Sequence, residues 1–227
     1  MVNRVNFDDY TENYNQLLNQ RTRFFSSSEE YFSAYKVNIV RRQVGSPVRR
    51  LLEYGCGVGR NIRFLREAFA DSEVIGSDIA PGSLEVARQE NPGTRFIQEG
   101  TGSSDLGKFD VIFVAGVFHH VPLHERLSVA KDLYERLEPE GSLFVFEHNP
   151  FNPVTRRIVS TCAYDEDAIL LRQSELSELM QRAGFVVERK CYCLFFPPRM
   201  SFLTRLESNL GWLPLGGQYW LQLRLPN

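Results

Sequence analysis

The 227-residue sequence predicts an α/β fold, a parallel sheet covered by helices on both faces. Three observations carry that prediction. Apolar runs at 50–54, 73–78, 109–115 and 142–147 are nearly continuous, as strands buried on both faces must be. Helical patterns of apolar residues lie between them, and strand–helix alternation builds parallel sheets. The first run enters Gly55-Cys56-Gly57-Val58-Gly59, a turn without bulk that opens the backbone to a ligand and lets the next helix start close to its strand.

Taken in order, residues 7–43 read as helical. Ser27 with Glu30 forms a capping-box pattern, followed by Phe32, Tyr35, Ile39 and Val40 on one face. Gly45-Ser46-Pro47 breaks the helix. Strand 50–54 leads to helix 60–70, with Ile62, Leu65 and Phe69 on one side. Strand 73–78 leads to a helix entered at Pro81, a favoured early helical residue. A short strand at 94–98 precedes strand 109–115. Helix 123–137 carries Leu127, Ala130, Leu133 and Leu137, and Pro139-Glu140-Gly141 turns the chain into strand 142–147. Residues 148–172 show no clean period. A helix at 173–183 and a strand at 185–196 follow, then a Pro-, Gly- and apolar-rich stretch at 197–217.

A net charge of −2 with 43% hydrophobic and 24% charged residues describes a globular chain and gives no electrostatic reason to expect nucleic acid as the main partner. The first residues carry no basic-then-apolar signal pattern, and no run reaches transmembrane length, so the expectation is a cytoplasmic protein. Cysteines at 56, 162, 191 and 193 do not form a disulfide framework in a chain of this length.

Parallel sheets bind ligands beyond the carboxyl ends of their strands, where Glu53, Asp78, Gly116 and Glu147 fall. Asp78 follows Gly59 by 19 residues, a distance that suits a ribose diol. Glu53 precedes the first glycine by two residues. A carboxylate there repels a pyrophosphate but welcomes an amino group or a sulfonium, which points to S-adenosylmethionine (SAM) rather than a dinucleotide. Of the four histidines, His119 and His120 are candidate bases, against a packing role at the strand end; His148 is a candidate substrate contact, and His124 reads as surface. Neither the histidine spacing nor an accompanying Cys/Asp set supports a metal site. Tyr10, Tyr14, Tyr31 and Tyr35 repeat at one helical turn, either as a packing stripe or as a lid over the ligand. Arg156 could hold an anionic acceptor.

Glu53-Tyr54-Gly55-Cys56-Gly57-Val58-Gly59, Asp78, Phe109-Asp110-Val111-Ile112 and Leu137-Glu138-Pro139-Glu140-Gly141 together resemble the class I SAM-dependent methyltransferases over roughly residues 48–148. His119-His120-Val121 resembles the small-molecule branch that includes quinone-biosynthesis enzymes. The resemblance implies a Rossmann-like seven-stranded sheet, mostly parallel, with an antiparallel last strand at 218–225. It further implies a helical lid at 1–45, a SAM-binding core at 46–148, and cap insertions with the C-terminal strands at 149–227, in one domain. Glu53, Tyr54, Gly55, Cys56, Gly57, Gly59 and Asn61 would surround the methionine part of SAM. Asp78 would take the ribose, and Ile79 would pack on the adenine. Gly100 and Thr101 stand where the family places an acidic adenine contact, and Thr101 departs from it. Ala115 and Gly116 would flank the methionine end, with Phe118 or His119 facing the substrate.

The implied activity is methyl transfer from SAM to a small molecule, anionic or lipid-linked acceptors included, at a hydroxyl oxygen. Nitrogen or carbon acceptors and a catalytically silent SAM-binding protein are the alternatives. A nicotinamide oxidoreductase is disfavoured by Glu53 and by the missing GxGxxG spacing.

Overall fold

The computed structural model describes residues 30–100, 106–162 and 165–226. Its sheet contains β1 (Arg50–Tyr54), β2 (Glu73–Asp78), β3 (Arg95–Gln98), β4 (Phe109–Ala115), β5 (Leu137–His148), β6 (Val186–Cys193) and β7 (Gln218–Arg224). The strand order is β3-β2-β1-β4-β5-β7-β6. β7 runs antiparallel to both of its neighbours and the remaining pairings are parallel. Asp110 anchors the centre: its Oδ2 accepts the backbone N–H groups of Arg49 and Arg50, both at 2.8 Å, where β1 begins beside β4.

The continuous apolar runs are explained by two cores, one on each side. Successive strand side chains point to opposite faces, so Leu52, Ile112, Val114, Leu143 and Val145 enter one core, while Leu51, Val111, Phe113, Phe144 and Phe146 enter the other. The first core is closed by α4 (Arg126–Arg136) and α6 (Gln173–Ala183) through Ala130, Leu133, Leu176 and Met180. The second is closed by α1 (Glu30–Gln43), α2 (Ile62–Ala68) and α3 (Pro81–Glu90) through Val37, Val40, Ile62, Leu65, Leu84 and Ala87. α6 begins where the Arg172 N–H donates to Glu175 Oε2 at 2.7 Å and ends at Gly184, which takes φ of 109°, a conformation cheap for glycine.

Three regions differ from the sequence reading. β5 extends from 137 rather than 142, because Leu137 pairs with Phe109 while Ser142 pairs with Val111, and the Pro139-Glu140-Gly141 turn is an irregularity inside the strand. Residues 148–172 contain a helix, α5 (Pro153–Ser160), whose first turn is capped by Asn152: its Oδ1 accepts the N–H groups of Val154 and Thr155, each at 3.0 Å. Residues 197–217 contain a 3-10 turn at Pro198–Leu203 and α7 (Thr204–Leu210). The expected helix start near residue 7 and the Ser27 cap lie outside the described residues, as do Tyr10, Tyr14 and Thr101.

The segments around α5 and before β7 hold each other. Asn149, fully buried, donates through Nδ2 to the carbonyls of Pro214 at 3.1 Å and Gly216 at 2.7 Å. Asn152 Nδ2 reaches Leu215 O at 2.8 Å, and Thr155 Oγ1 reaches Gly217 O at 2.8 Å. Among the described residues no helix is long and apolar enough to cross a membrane. Asn149→Ala leaves the buried Gly216 carbonyl without its side-chain donor and is expected to cost about 1–3 kcal/mol in urea unfolding; an unchanged midpoint would show that these contacts do not hold the cap.

Candidate functional site

The chain runs outward from β1 to β3 and then returns to β4 on the other side of β1, so a crevice opens at the strand ends where the order reverses. A cavity of about 570 Å³ lies there, within the size range of small-molecule sites. Tyr54, Gly55, Cys56, Gly57, Asn61, Asp78, Ile79, Ala115, Gly116, His119, His120 and His148 all border it, so most of the sequence-read residues converge.

Each glycine of the turn has its own reason. A Cβ on Gly55 would stand 2.4 Å from Val117 Cγ2, and one on Gly59 would strike Asn91 and Ala87 of α3. Gly57 faces open space at φ of 53°, leaving its backbone bare toward the cavity. Its N–H donates to Asp78 Oδ2 at 2.7 Å, and Ala80 N–H donates to Oδ1 at 2.9 Å, so Asp78 ties the turn to the end of β2. Burial pushes the Asp78 carboxyl up, against those N–H donors. Ile79 beside it is 50% exposed, a large apolar side chain held out at the cavity edge.

Glu53 sits behind the turn, 2% exposed. Its Oε1 accepts from Asn61 Nδ2 at 2.6 Å, whereas its Oε2 and Asn61 Oδ1 are buried acceptors without a hydrogen-bond partner among the described residues. Burial pushes its pKa up to about 8, opposed by Asn61 and by the charge of Lys36.

At the opposite end Glu147 receives three donors. Its Oε1 accepts Val117 N–H at 3.1 Å and Phe118 N–H at 2.7 Å, and its Oε2 lies 2.6 Å from His119 Nδ1. Burial works against ionisation of Glu147, but His119 and these donors prevail and lower its pKa. His119 is 2% exposed; burial would lower its pKa, yet Glu147 and Asp165 outweigh it and raise it to about 10. Burial, followed by the charge of His119, pushes His148 down to about 4. The three rings stack into one cluster, with centroids 4.2 Å apart for His119–His120 and 5.1 Å for His119–His148.

Other sequence-read residues stand elsewhere. Phe118 was expected to face the substrate but is fully buried in the core beneath the sheet ends, because its N–H is turned to Glu147. Tyr31 and Tyr35 do not border the cavity; their rings pack on each other and the Tyr35 hydroxyl donates to Glu207. Arg156 lies on the exposed side of α5, whose cavity side presents Val154, Thr155 and Ile158. Gly100 is off the wall, and the preceding residue, Glu99, is on it, held by Arg136 through two bonds of 2.8 and 2.9 Å.

Sequence reasoning missed Lys36, Asp165 and the Leu194–Pro197 segment, all on the wall. For α5 a local signal existed in Asn152-Pro153, an N-cap followed by a first-turn proline. For Asp165 none did.

Residues 52–143 match the family described as "Methyltransferase domain". That region is similar to a methyltransferase domain. A trans-aconitate 2-methyltransferase of Rhizobium leguminosarum is 33% identical over 99 residues, which are 43% of this chain and 38% of that one. A demethylmenaquinone methyltransferase of Thermus thermophilus is 30% identical over 108 residues, 45% of this chain and 48% of that one. The chain thus spans less than half the length of these curated relatives. Among solved structures, a TehB-like SAM-dependent methyltransferase from Corynebacterium glutamicum superposes with a TM-score of 0.63 at 15% identity, covering 96% of this chain and 99% of that one. The mitomycin 7-O-methyltransferase superposes with a TM-score of 0.66 at 16% identity, over 99% of this chain and 62% of that one. At these identities the likeness establishes the fold.

The Glu53 environment has a stability consequence. The folded-state pKa near 8 exceeds the ordinary value of 4.5, so the burial penalty is absent at low pH and grows as pH rises from about 4.5 through 8. Glu53→Gln is therefore expected to raise stability by about 1–3 kcal/mol above pH 8 and to change little near pH 4. Thermal melts across that range check it; equal melting temperatures at pH 8.5 would refute the assignment.

Proposed function

We propose that the protein transfers a methyl group from SAM to an oxygen atom of a small, anionic acceptor. The observation that carries the donor half is the pair of unpartnered acceptors, Glu53 Oε2 and Asn61 Oδ1, buried directly behind a bare glycine turn. A buried carboxylate oxygen without a donor is costly, and an ammonium group supplies what is missing. SAM carries that ammonium, and when bound it also supplies a methyl group made electrophilic by its sulfonium.

In this reading Glu53 and Asn61 receive the amino group, with Tyr54, Gly55, Cys56 and Gly57 around the methionine chain and Ala115 and Gly116 opposite. Asp78 receives the ribose hydroxyls, exchanging some of its bonds to the turn, and Ile79 and Glu99 border the base. Gly59 acts indirectly, by letting the turn lie on α3. The protein's part in the chemistry is mainly positioning, which is worth roughly 7–11 kcal/mol for well-oriented reactants.

The acceptor half is assigned to the opposite end, where His119, His120, His148 and Asp165 form the polar floor and Phe146, Val154, Ile158, Phe195 and Phe196 the apolar walls. The imidazole–carboxylate cluster favours an acceptor oxygen, as a hydroxyl or a carboxylate, over an amine. The small-molecule acceptors in the names of the curated relatives support the size class.

Calorimetric titration with SAM, S-adenosylhomocysteine and NADH tests the donor site. Micromolar binding of both adenosyl ligands is expected, with no binding of NADH. Asp78→Ala and Glu53→Gln are each expected to weaken SAM by roughly tenfold or more, the scale of a lost charged hydrogen bond. Because Glu53→Gln is expected to stabilise the fold, thermal melts of the same sample separate loss of binding from unfolding. Absence of adenosyl binding to the folded wild type would end this reading.

A further inference from the structure

His119 and His120 leave β4 as neighbours in sequence, and both turn Nε2 toward the same atom. Asp165 Oδ1 lies 3.7 Å from His119 Nε2 and 3.3 Å from His120 Nε2. One ligand atom from each of the three residues falls within 4.8 Å of the other two. In a tetrahedral site with bonds of about 2.0–2.2 Å, neighbouring ligand atoms stand roughly 3.3–3.6 Å apart, so this spacing needs little adjustment. No protein atom is required to move through another to admit an ion, since His119, His120 and Asp165 all border the cavity.

The outer atoms of the two rings are equally ordered. His119 Nδ1 is 2.6 Å from Glu147 Oε2, and His120 Nδ1 is 3.3 Å from Asp167 Oδ1. A carboxylate at Nδ1 holds the proton there and aims the Nε2 lone pair at a metal, the arrangement found behind metal-ligating histidines. Two such pairs converging on one further carboxylate are more than a loop clamp needs. The loop is already fixed by backbone: Ile169 N–H donates to His119 O at 2.8 Å, and Arg126 joins Val121 O at 2.9 Å to Ile169 O at 2.8 Å.

We propose that His119 Nε2, His120 Nε2 and Asp165 Oδ1 bind a divalent transition-metal cation of the zinc class, with Glu147 and Asp167 as positioning residues. Two imidazoles and one carboxylate form a borderline donor set suited to zinc rather than to magnesium or calcium. Three ligands on one side leave a coordination position facing the cavity, as catalytic zinc sites do. That position takes an anionic oxygen of the acceptor, carboxylate or hydroxylate. The acceptor role rests on the methyl-transfer reading above, whereas the cation site stands on its own geometry.

The test uses the full chain stripped with a chelator and titrated calorimetrically with Zn²⁺ in the absence of SAM. Saturable binding of a single cation per chain is expected. Asp165→Ala and His120→Ala are expected to weaken it by roughly a hundredfold, and Asp167→Asn by roughly 10–100-fold, the range for an outer partner. His124→Ala, on an exposed histidine, should match the wild type. Co²⁺ loading should give visible absorption bands that Asp165→Ala abolishes, and circular dichroism of each variant reports folding separately. No saturable binding by wild type, or equal binding by a folded Asp165→Ala variant, overturns the site. Zinc bound as described in a protein that transfers no methyl group supports the site and overturns the acceptor role. Methyl transfer that survives stripping undiminished overturns the acceptor role and leaves the methyl-transfer reading standing, while the titration alone decides the cation site.

Discussion

The carboxylate of Glu147 accepts two backbone N–H groups on one oxygen and faces His119 Nδ1 with the other, and the shape of the cavity mouth follows from that arrangement. The two N–H groups belong to Val117 and Phe118, so the chain leaving β4 is bent over the end of β5 instead of continuing along the sheet. Gly116 N–H, bonded to Phe146 O at 2.9 Å, marks where the strand pairing ends. Val117 is thereby set against the glycine turn after β1, where only the missing Cβ of Gly55 leaves room for it. One buried acid at the end of β5 therefore places the loop on which the turn after β1 rests. The two ends of the cavity are mechanically joined through a glycine–valine contact.

Glu53 and Glu147 make an instructive pair. Both are glutamates near the carboxyl ends of parallel strands, and both are buried, at 2% and 1% exposure. Their pKa values move in opposite directions, up to about 8 for Glu53 and downward for Glu147. Burial penalises both charges, so burial cannot be the source of the difference. Glu147 has three donors, one of them the His119 ring, whereas Glu53 has one amide donor and an oxygen left over. A satisfied acid builds structure, and an unsatisfied one is a place for a cationic ligand. The count of donors separates the two acids where residue type and position do not.

How far the sequence could be read follows from the range of the interactions. β1, β2 and β4 were legible to the residue, because each is a short apolar run ended by a local signal such as Tyr54-Gly55, Asp78 or Ala115-Gly116. The glycine turn, Glu53, Asn61 and Asp78 lie within 26 residues and carry their spacing with them. α7 was not legible, and α5 only at its start, where Asn152-Pro153 marks a cap and a first-turn proline. Their stability comes from contacts such as Asn149 to the 214–216 carbonyls and Glu207 to the N–H groups of Phe195 and Phe196, and no periodicity records a contact of that kind. Phe118 shows the converse error: its place beside His119 suggested the cavity, but adjacent residues at a bend point in different directions.

The histidine end of the cavity was the least legible part for the same reason. His120 and Asp167 are 47 residues apart, and what joins them is a bend fixed by Glu147 and a loop fixed by Arg126. Spacing rules detect ligand sets that share one element, such as two residues a helical turn apart, and are blind to a set assembled from a strand end and a distant loop. The glycine-turn end is built from consecutive strand–turn–helix residues, so it can pass intact between proteins whose remaining parts differ. The matched region, 52–143, ends before Glu147 and contains neither Asp165 nor Asp167. The matched region thus carries the glycine-turn end of the cavity, while the carboxylates at the histidine end come from the segments that follow it. In this chain those segments bring three carboxylates, Glu147, Asp165 and Asp167, to His119 and His120 of the matched region.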